Sequence, residues 1–488
     1  MERSSFALTA HRSIDARPQR VTPVRFFSGH VHRLALLALA EMGMVILSVY
    51  GAIWVRFFDF PEALSVLAAT LGPIWPRALL IAAAILVSLA SMGLYQLRQR
   101  ARFTGILARL LIAVTTAEAV LGLIFYLVPS VFVGRGVLAL AGIFSFFGLA
   151  LTRYVFLQLV DEEIFKRRVL VWGAGSHAAT IETGLRRRSD QRGFTIVGYV
   201  RAPGDGSEFP RGQVLQPDGD LVRLAMRHKV EEIVVATDDR RRGFPTAELL
   251  ECRCRGIAVC DILAFLERES GRISIELMKP SWLIFSNGFR CDVLRLASKR
   301  VFDVVVSIGV LLAASPIALL TAIAIFIEDR GPIFYRQFRT GQNGRVFTIL
   351  KFRSMKIGAE PNGEAIWATR NDPRLTRVGA WIRRFRIDEL PQVINVLVGQ
   401  MSFVGPRPER PAFVEELTKA IPCYPQRHFV KPGITGWAQV RFSYGSSDKD
   451  AQEKLGYDLY YVKNHSLVFD LMVLMQTVEI VLFRIGSR

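Results

Sequence analysis

The chain has 488 residues, of which 51% are hydrophobic, and a mean hydropathy of +0.29. That is too apolar for an ordinary soluble protein and long enough for two or three structural units, so membrane segments come first. The net charge of +19 suits basic inside loops and attraction to anionic lipid, and no nucleic-acid-binding module accompanies it.

Four apolar stretches, roughly residues 33–56, 75–96, 104–128 and 132–157, each approach the length of a spanning helix. Basic clusters precede the first (Arg12, Arg17, Arg20, Arg25), separate the second from the third (Arg98, Arg100, Arg102) and follow the fourth (Lys166, Arg167, Arg168). The loop after the first carries Asp59 and Glu62. By the positive-inside rule, a four-helix bundle over 33–160 has both ends in the cytoplasm, with residues 1–32 as a cytoplasmic N-terminal segment. That polar, basic lead of about 30 residues argues against a cleavable signal peptide. Cys252, Cys254, Cys260, Cys291 and Cys423 are odd in number and on the same side, which favours reduced, mostly buried thiols over disulfides or a metal site.

Residues 161–295 alternate strand-like and helix-like runs, as expected of a cytoplasmic α/β Rossmann-like domain with its connector. Gly173-Ala174-Gly175-Ser176-His177-Ala178 follows a strand-like run, the setting in which a dinucleotide-binding turn counts. The second strand ends at Val200-Arg201, where an acid would bind ribose hydroxyls, and this weakens the case for NAD. Assembly, regulation or nucleotide sensing is the expected role. In the connector, Trp282 and Phe285 suit either lipid headgroups or packing between domains.

The apolar run Val301 to Ile327 is flanked by Lys299, Arg300, Asp329 and Arg330 and interrupted by Ser315 and Pro316. A mid-helix proline removes a backbone hydrogen bond and clashes with the preceding turn, so a re-entrant helix over about 299–328 is expected. Asn343-Gly344 between strand-like runs predicts a hairpin that aims Lys351 and Arg353 from one face. Leu375, Val378, Trp381, Ile382 and Phe385 recur at helical spacing, with Arg383 and Arg386 on a neighbouring face. Asp388-Glu389 follows, just before Pro391, which suits the first turn of a new helix. A helix N-terminus and nearby arginines favour ionised carboxylates, and an ionised Asp can attack phosphorus or hold Mg2+. The same pair could also simply cap a helix and pair with arginine. Arg407 stands in the stiff Gly405-Pro406-Arg407-Pro408 segment, suited to gripping phosphate. Trp437 reads as an aromatic plug or a stacking surface, and the stretch 467–485, with Asp470 and Glu479, is expected to lie along the membrane interface.

Several ordered motifs resemble the bacterial sugar transferases that act on polyprenyl phosphate, the monotopic phosphoglycosyl transferases. They are Lys299-Arg300, Ser315-Pro316, Lys351-Phe352-Arg353-Ser354-Met355, Asp372-Pro373-Arg374, Arg386-Ile387-Asp388-Glu389-Leu390-Pro391-Gln392, Gly405-Pro406-Arg407-Pro408 and Lys431-Pro432-Gly433. The resemblance covers residues 296–488, and the whole chain is similar to long-form members that start exopolysaccharide synthesis. Pro280-Ser281-Trp282-Leu283 resembles the exosortase-associated branch. The implied architecture is a membrane α-helical bundle, a cytoplasmic α/β Rossmann-like domain and a mainly α monotopic catalytic domain with a re-entrant membrane helix. The implied reaction moves sugar 1-phosphate from a UDP-sugar to undecaprenyl phosphate at the cytoplasmic face of the bacterial inner membrane, releasing UMP. Asp388 would be the nucleophile and a ligand of the cofactor Mg2+, with Glu389 as acid/base or positioning group. Lys351, Arg353, Arg386 and Arg407 would contact phosphate or substrate, and Ser315 and Pro316 would break the re-entrant helix. Glucose and galactose lead as the sugar, and a homodimer through the middle domain is a further expectation. The competing readings are a membrane-bound nucleotide-sugar dehydratase or epimerase, whose Tyr-x-x-x-Lys pair the middle segment lacks, and a non-catalytic assembly scaffold.

Overall fold

The N-terminal apolar stretches fold as α1 (Gly29–Arg56), α2 (Trp75–Ser91), α3 (Phe103–Leu127) and α4 (Arg135–Leu159), which pack in a closed ring around a common apolar core. The computed structural model describes residues 29–59, 73–95, 103–159, 166–185, 190–191, 193–206, 212–216, 220–278, 280–286, 288–289, 292–359, 374–442 and 448–483. The basic clusters at Arg12 to Arg25 and Arg98 to Arg102, together with Glu62, Cys291, Asp372 and Pro373, lie outside them. Three of the four N-terminal helices are long and apolar enough to cross a membrane; α2, expected over 75–96, stops at Ser91 after 17 residues. An ion pair not anticipated from the sequence joins α1 to α4: Arg153 lies 2.7 Å from Glu41, both fully buried, and Arg153 also donates to the Leu94 carbonyl. Breaking one partner would leave a buried charge uncompensated, so the pair fixes the register of the two helices.

The middle segment forms a five-stranded parallel sheet, β1 (Arg167–Trp172), β2 (Phe194–Val200), β3 (Val214–Leu215), β4 (Glu232–Val235) and β5 (Ala258–Asp261), in the order 3-2-1-4-5. Helices α5 (Ser176–Gly184) and α8 (Ile262–Ser270) cover one face, and α6 (Leu221–Arg227) and α7 (Thr246–Cys254) the other. This is the doubly wound arrangement, whose ligand crevice lies at the switch point between β1 and β4. Here the chain's own carboxylates fill that crevice. Asp238 accepts hydrogen bonds from the backbone N–H groups of Ser176 (3.0 Å), His177 (2.8 Å) and Gly206 (3.2 Å), and Asp205 from those of Ala174 (2.7 Å) and Ala202 (2.8 Å). Gly175 is required by this contact, since a Cβ there would meet Asp238 at 2.1 Å. A dinucleotide phosphate at the N-terminus of α5 would face a carboxylate already bonded to the donors it needs. Of the described cysteines only Cys252 is buried; Cys254 is exposed, against the expectation of mostly buried thiols.

A short helix α9 (Pro280–Phe285) leads to α10 (Val293–Asp329), 37 residues long with Pro316 inside it. Trp282 packs between domains, under the Lys463 ammonium at 4.3 Å, while Phe285 is exposed. The C-terminal domain follows with the hairpin β6 (Phe334–Thr340) and β7 (Val346–Phe352), then α11 (Arg377–Arg384), α12 (Gln392–Val398), β8 (Ser402–Val404) and α13 (Pro411–Ala420). It closes with β9 (Gly433–Thr435), α14 (Trp437–Arg441), α15 (Asp448–Asn464) and α16 (Leu467–Phe483). Asn343 (φ 55°) and Gly344 (φ 74°) take the left-handed turn that the hairpin demands. Trp437 is a plug: it is buried and its indole N–H donates to the Gly271 carbonyl at 2.7 Å. The last helix, expected along the membrane interface, buries one side against the protein. Asp470 is turned inward between Lys299 and Tyr461, Phe469 and Val473 join the domain core, and Met475 packs on the bundle.

Candidate active site

Asp388 and Glu389 sit in a single 3-10 turn, Ile387–Glu389, wedged between α11 and α12. Thr376 caps α11, accepting from the Gly379 N–H at 2.9 Å, and Arg386 adopts a left-handed φ of 56° that reverses the chain into the turn. A non-glycine residue held there is strained, and such strain persists only where surrounding contacts enforce it. The enforcing contacts are ionic. The Glu389 carboxylate receives Lys351 at 3.3 Å, Arg386 at 3.3 Å and Arg407 at 3.4 Å, and its side chain is only 11% exposed. Burial alone would raise its pKa, but Arg407, Lys351 and Arg386 outweigh that and hold it down to about 2. Asp388 behaves oppositely: burial and then the Glu389 charge push its pKa above the ordinary 3.8, opposed by Lys351, Arg383 and Arg386. Burial also lowers the Lys351 pKa, against the pull of Glu389.

The frame around these groups is built of side-chain to backbone bonds. Asn395 on α12 accepts from the Leu350 N–H (3.0 Å) and donates to the Thr348 carbonyl (2.8 Å), which seats α12 on the strand that carries Lys351. Arg407 is held from behind. The fully buried pair Arg427–Asp458 (2.7 Å, each 2% exposed) directs a guanidinium N–H onto the Arg407 carbonyl at 3.0 Å.

Of the residues expected at the site, the structure brings together Asp388, Glu389, Lys351, Arg386 and Arg407. Arg353 is elsewhere. Strand β7 ends at Phe352, so the alternation that would align Arg353 with Lys351 stops one residue short. Its guanidinium instead forms a two-pronged pair with Asp329 at the end of α10 and donates to the Pro332 carbonyl at 2.6 Å. Ser315 and Pro316 lie within α10, where the Ser315 hydroxyl donates to the Leu312 carbonyl at 2.8 Å. Missed entirely were Arg427, Asp458 and Arg339. The register Arg339↔Phe347, four pairs along from Tyr335↔Lys351, puts Arg339 on the Lys351 face, so period-two counting along β6 carried that signal.

No group of three His, Cys, Asp or Glu side chains converges among the described residues. Glu389 is already shared by three cations, which leaves Asp388 as the carboxylate donor. Magnesium fits such a site only in the mode usual for it, one carboxylate with water and substrate phosphate oxygens completing the shell.

The chain is similar to known families and proteins. A family profile described as bacterial sugar transferase matches residues 294–484, and one described as CoA-binding domain matches residues 90–239. The chain is 39% identical over 251 residues to the UDP-N-acetylgalactosamine-undecaprenyl-phosphate N-acetylgalactosaminephosphotransferase of Aeromonas hydrophila, covering 51% of this chain and 58% of that protein. It is 35% identical over 299 residues to the UDP-glucose:undecaprenyl-phosphate glucose-1-phosphate transferase of Escherichia coli (strain K12), covering 59% and 61%. The chain thus spans about three fifths of the length of these two relatives. A transferase of the same name from Xanthomonas campestris pv. campestris is 30% identical over 434 residues, 85% of this chain and 89% of that protein. With similarity extending through all three parts of the fold, the chain belongs to the bacterial sugar transferase family.

Proposed function

We propose that the protein transfers sugar 1-phosphate from a UDP-sugar to undecaprenyl phosphate, giving undecaprenyl-diphosphate-sugar and UMP. The observation that carries this reading is the convergence of Lys351, Arg386 and Arg407 on Glu389, beside Asp388 with its contrasting pKa. The names of the relatives supply the two substrates. In the first step a carboxylate oxygen of Asp388 attacks the phosphorus that bears the sugar. The new O–P bond forms as the P–O bond to UMP breaks, and UMP leaves with that electron pair. A phosphate oxygen of undecaprenyl phosphate then attacks the same phosphorus and displaces the carboxylate. Covalent catalysis of this kind lets a water-soluble donor and a lipid acceptor use one site in turn. Glu389, ionised and triply paired, positions Lys351 and Arg407 against phosphate oxygens. Asp388 and the donor's diphosphate would hold Mg2+, which when bound neutralises charge on that diphosphate.

Helix α10 enters the bilayer and returns on the same side in this reading. Support comes from its two ends, both tied to the C-terminal domain. Lys299 pairs with Asp470 and Arg300 donates to the Val396 (2.8 Å) and Leu397 (2.6 Å) carbonyls, while Glu328 accepts from the Arg377 N–H (2.7 Å) and Asp329 grips Arg353. Between them the apolar side chains Leu312, Ile317, Leu319 and Leu320 are exposed. The catalytic domain would then face the cytoplasm, where UDP-sugars are found.

The test is UMP release by the protein in native-lipid particles with undecaprenyl phosphate, Mg2+ and a panel of UDP-glucose, UDP-galactose and UDP-N-acetylgalactosamine. Wild type should release UMP with one donor and form a sugar-phosphate adduct. Asp388→Asn, nearly unchanged in shape, should lose at least about a thousandfold. Equal rates from wild type and this variant would refute the assignment.

A further inference from the structure

A small pocket beside Glu389 is lined by Arg339, Lys351, Gln392, Arg407 and the backbone of Gly433, and Arg339 in it is a half-buried cation whose paired carboxylate lies at the limit of an ion pair. Its side chain is 18% exposed. One terminal nitrogen donates to the Pro408 carbonyl at 3.1 Å and the other to Gln337 Oε1 at 2.6 Å, while Nε has no hydrogen-bond partner. The carboxylate paired with it, Glu409, stands 3.9 Å away and is already held by Lys454 at 2.6 Å. Burial lowers the Arg339 pKa, and Arg407 and Arg410 add to that against Glu409. Lys351 and Arg407, the other cations of the pocket, both pair with Glu389. A largely enclosed guanidinium without close compensation is costly unless an anion completes it.

We propose that Arg339, Lys351 and Arg407 together form a subsite for a substrate phosphoryl group, with Arg339 as a binding residue for that group. The hairpin supplies two of the three cations from one face of the sheet, and the Pro408 carbonyl and Gln337 hold the two terminal nitrogens of the Arg339 guanidinium at the pocket wall. The inference rests on the transferase reading above. The phosphoryl group can come from the donor's diphosphate or from the lipid phosphate, and the kinetics separate the two.

In a two-step displacement, kcat/KM for each substrate reports its own half-reaction. With full-length protein in native-lipid particles, Arg339→Gln should lower kcat/KM at least tenfold for one substrate and leave the other within twofold. Loss on the UDP-sugar assigns a donor subsite, and loss on undecaprenyl phosphate an acceptor subsite. Arg339→Lys, which keeps charge but loses the fork, should recover part of the deficit and decides the matter if the Gln variant does not fold. Equal losses for both substrates, or none, would overturn the proposal and leave Arg339 a structural residue. If wild type releases UMP from no donor, the transferase reading fails on its own. The anion subsite is then read from thermal midpoints with inorganic pyrophosphate: a rise in wild type that Arg339→Gln abolishes supports it, and identical behaviour refutes it.

Discussion

Adjacent in sequence, Asp388 and Glu389 differ because nearby cations outweigh burial at Glu389 and not at Asp388. Glu389 is pinned by Arg407, Lys351 and Arg386 and stays ionised down to a pH of about 2, whereas burial and the Glu389 charge raise the pKa of Asp388. A nucleophilic Asp388 must be deprotonated, so the donor half-reaction should gain rate as pH rises through a value above 3.8. Glu389→Gln removes the negative neighbour, and the acid limb of the single-turnover profile should then move to lower pH even as the rate falls. A limb that stays in place or moves up would show that Glu389 does not set the charge state of Asp388. Much of this site was legible from residue types: Lys351, Arg407 and the acid pair stand in motifs whose chemistry is plain. Arg353 misled because the end of a strand is a tertiary fact, set here by Pro332 and Asp329. The Arg427–Asp458 support is invisible to spacing, since 31 residues separate its partners.

Helix α10 carries the same contrast at the scale of an element. Pro316 after Ser315 marks the expected break in the sequence, though the helix runs continuously through it, and the exposed apolar residues on either side mark the part that would meet lipid. What the sequence could not reveal is how both ends are fastened. Glu328 reaches the free N–H groups that open α11, so the end of the membrane helix sets the position of the helix leading into Asp388. A fully crossing helix would part its ends across the bilayer, and these contacts to one domain would be lost. In a background without native exposed thiols, Ser298→Cys and Arg330→Cys should both resist a membrane-impermeant maleimide in spheroplasts and label only after the membrane is opened. Ser130→Cys, in the connection between α3 and α4, should label from outside. Outside labelling of one end of α10 alone would mean that the helix crosses. The Rossmann-like sheet was equally legible, from its glycine turn and strand rhythm. The filling of its crevice was not, because Asp205 and Asp238 arrive from loops 31 and 62 residues beyond the turn they occupy.

Across the whole molecule, the middle and C-terminal domains meet along a packed seam. The buried Lys463 pairs with Glu267 at 2.7 Å, Ile273 donates its N–H to the Gly456 carbonyl at 3.0 Å, and Ile273 and Ile275 share a core with Ile421, Leu455 and Leu459. Gly456 is a tight point of backbone contact, since a Cβ there would approach the Ile273 carbonyl to 2.5 Å. The helix that carries Gly456 also carries Asp458, which orients Arg427 and through it the Arg407 backbone. A push at the seam therefore travels two residues along α15 before it reaches the network behind a phosphate-contacting arginine. Gly456→Ala must move one backbone away from the other by several tenths of an ångström, and a misplacement approaching 1 Å at a catalytic group can cost on the order of a hundredfold in rate. The expected outcome is a loss of about tenfold or more in UMP release, accompanied by faster proteolysis of the connector around residues 279–292. Faster connector cleavage with an unchanged rate would separate the two effects. The seam would then be a tether, and the middle domain would have no purchase on the chemistry through α15.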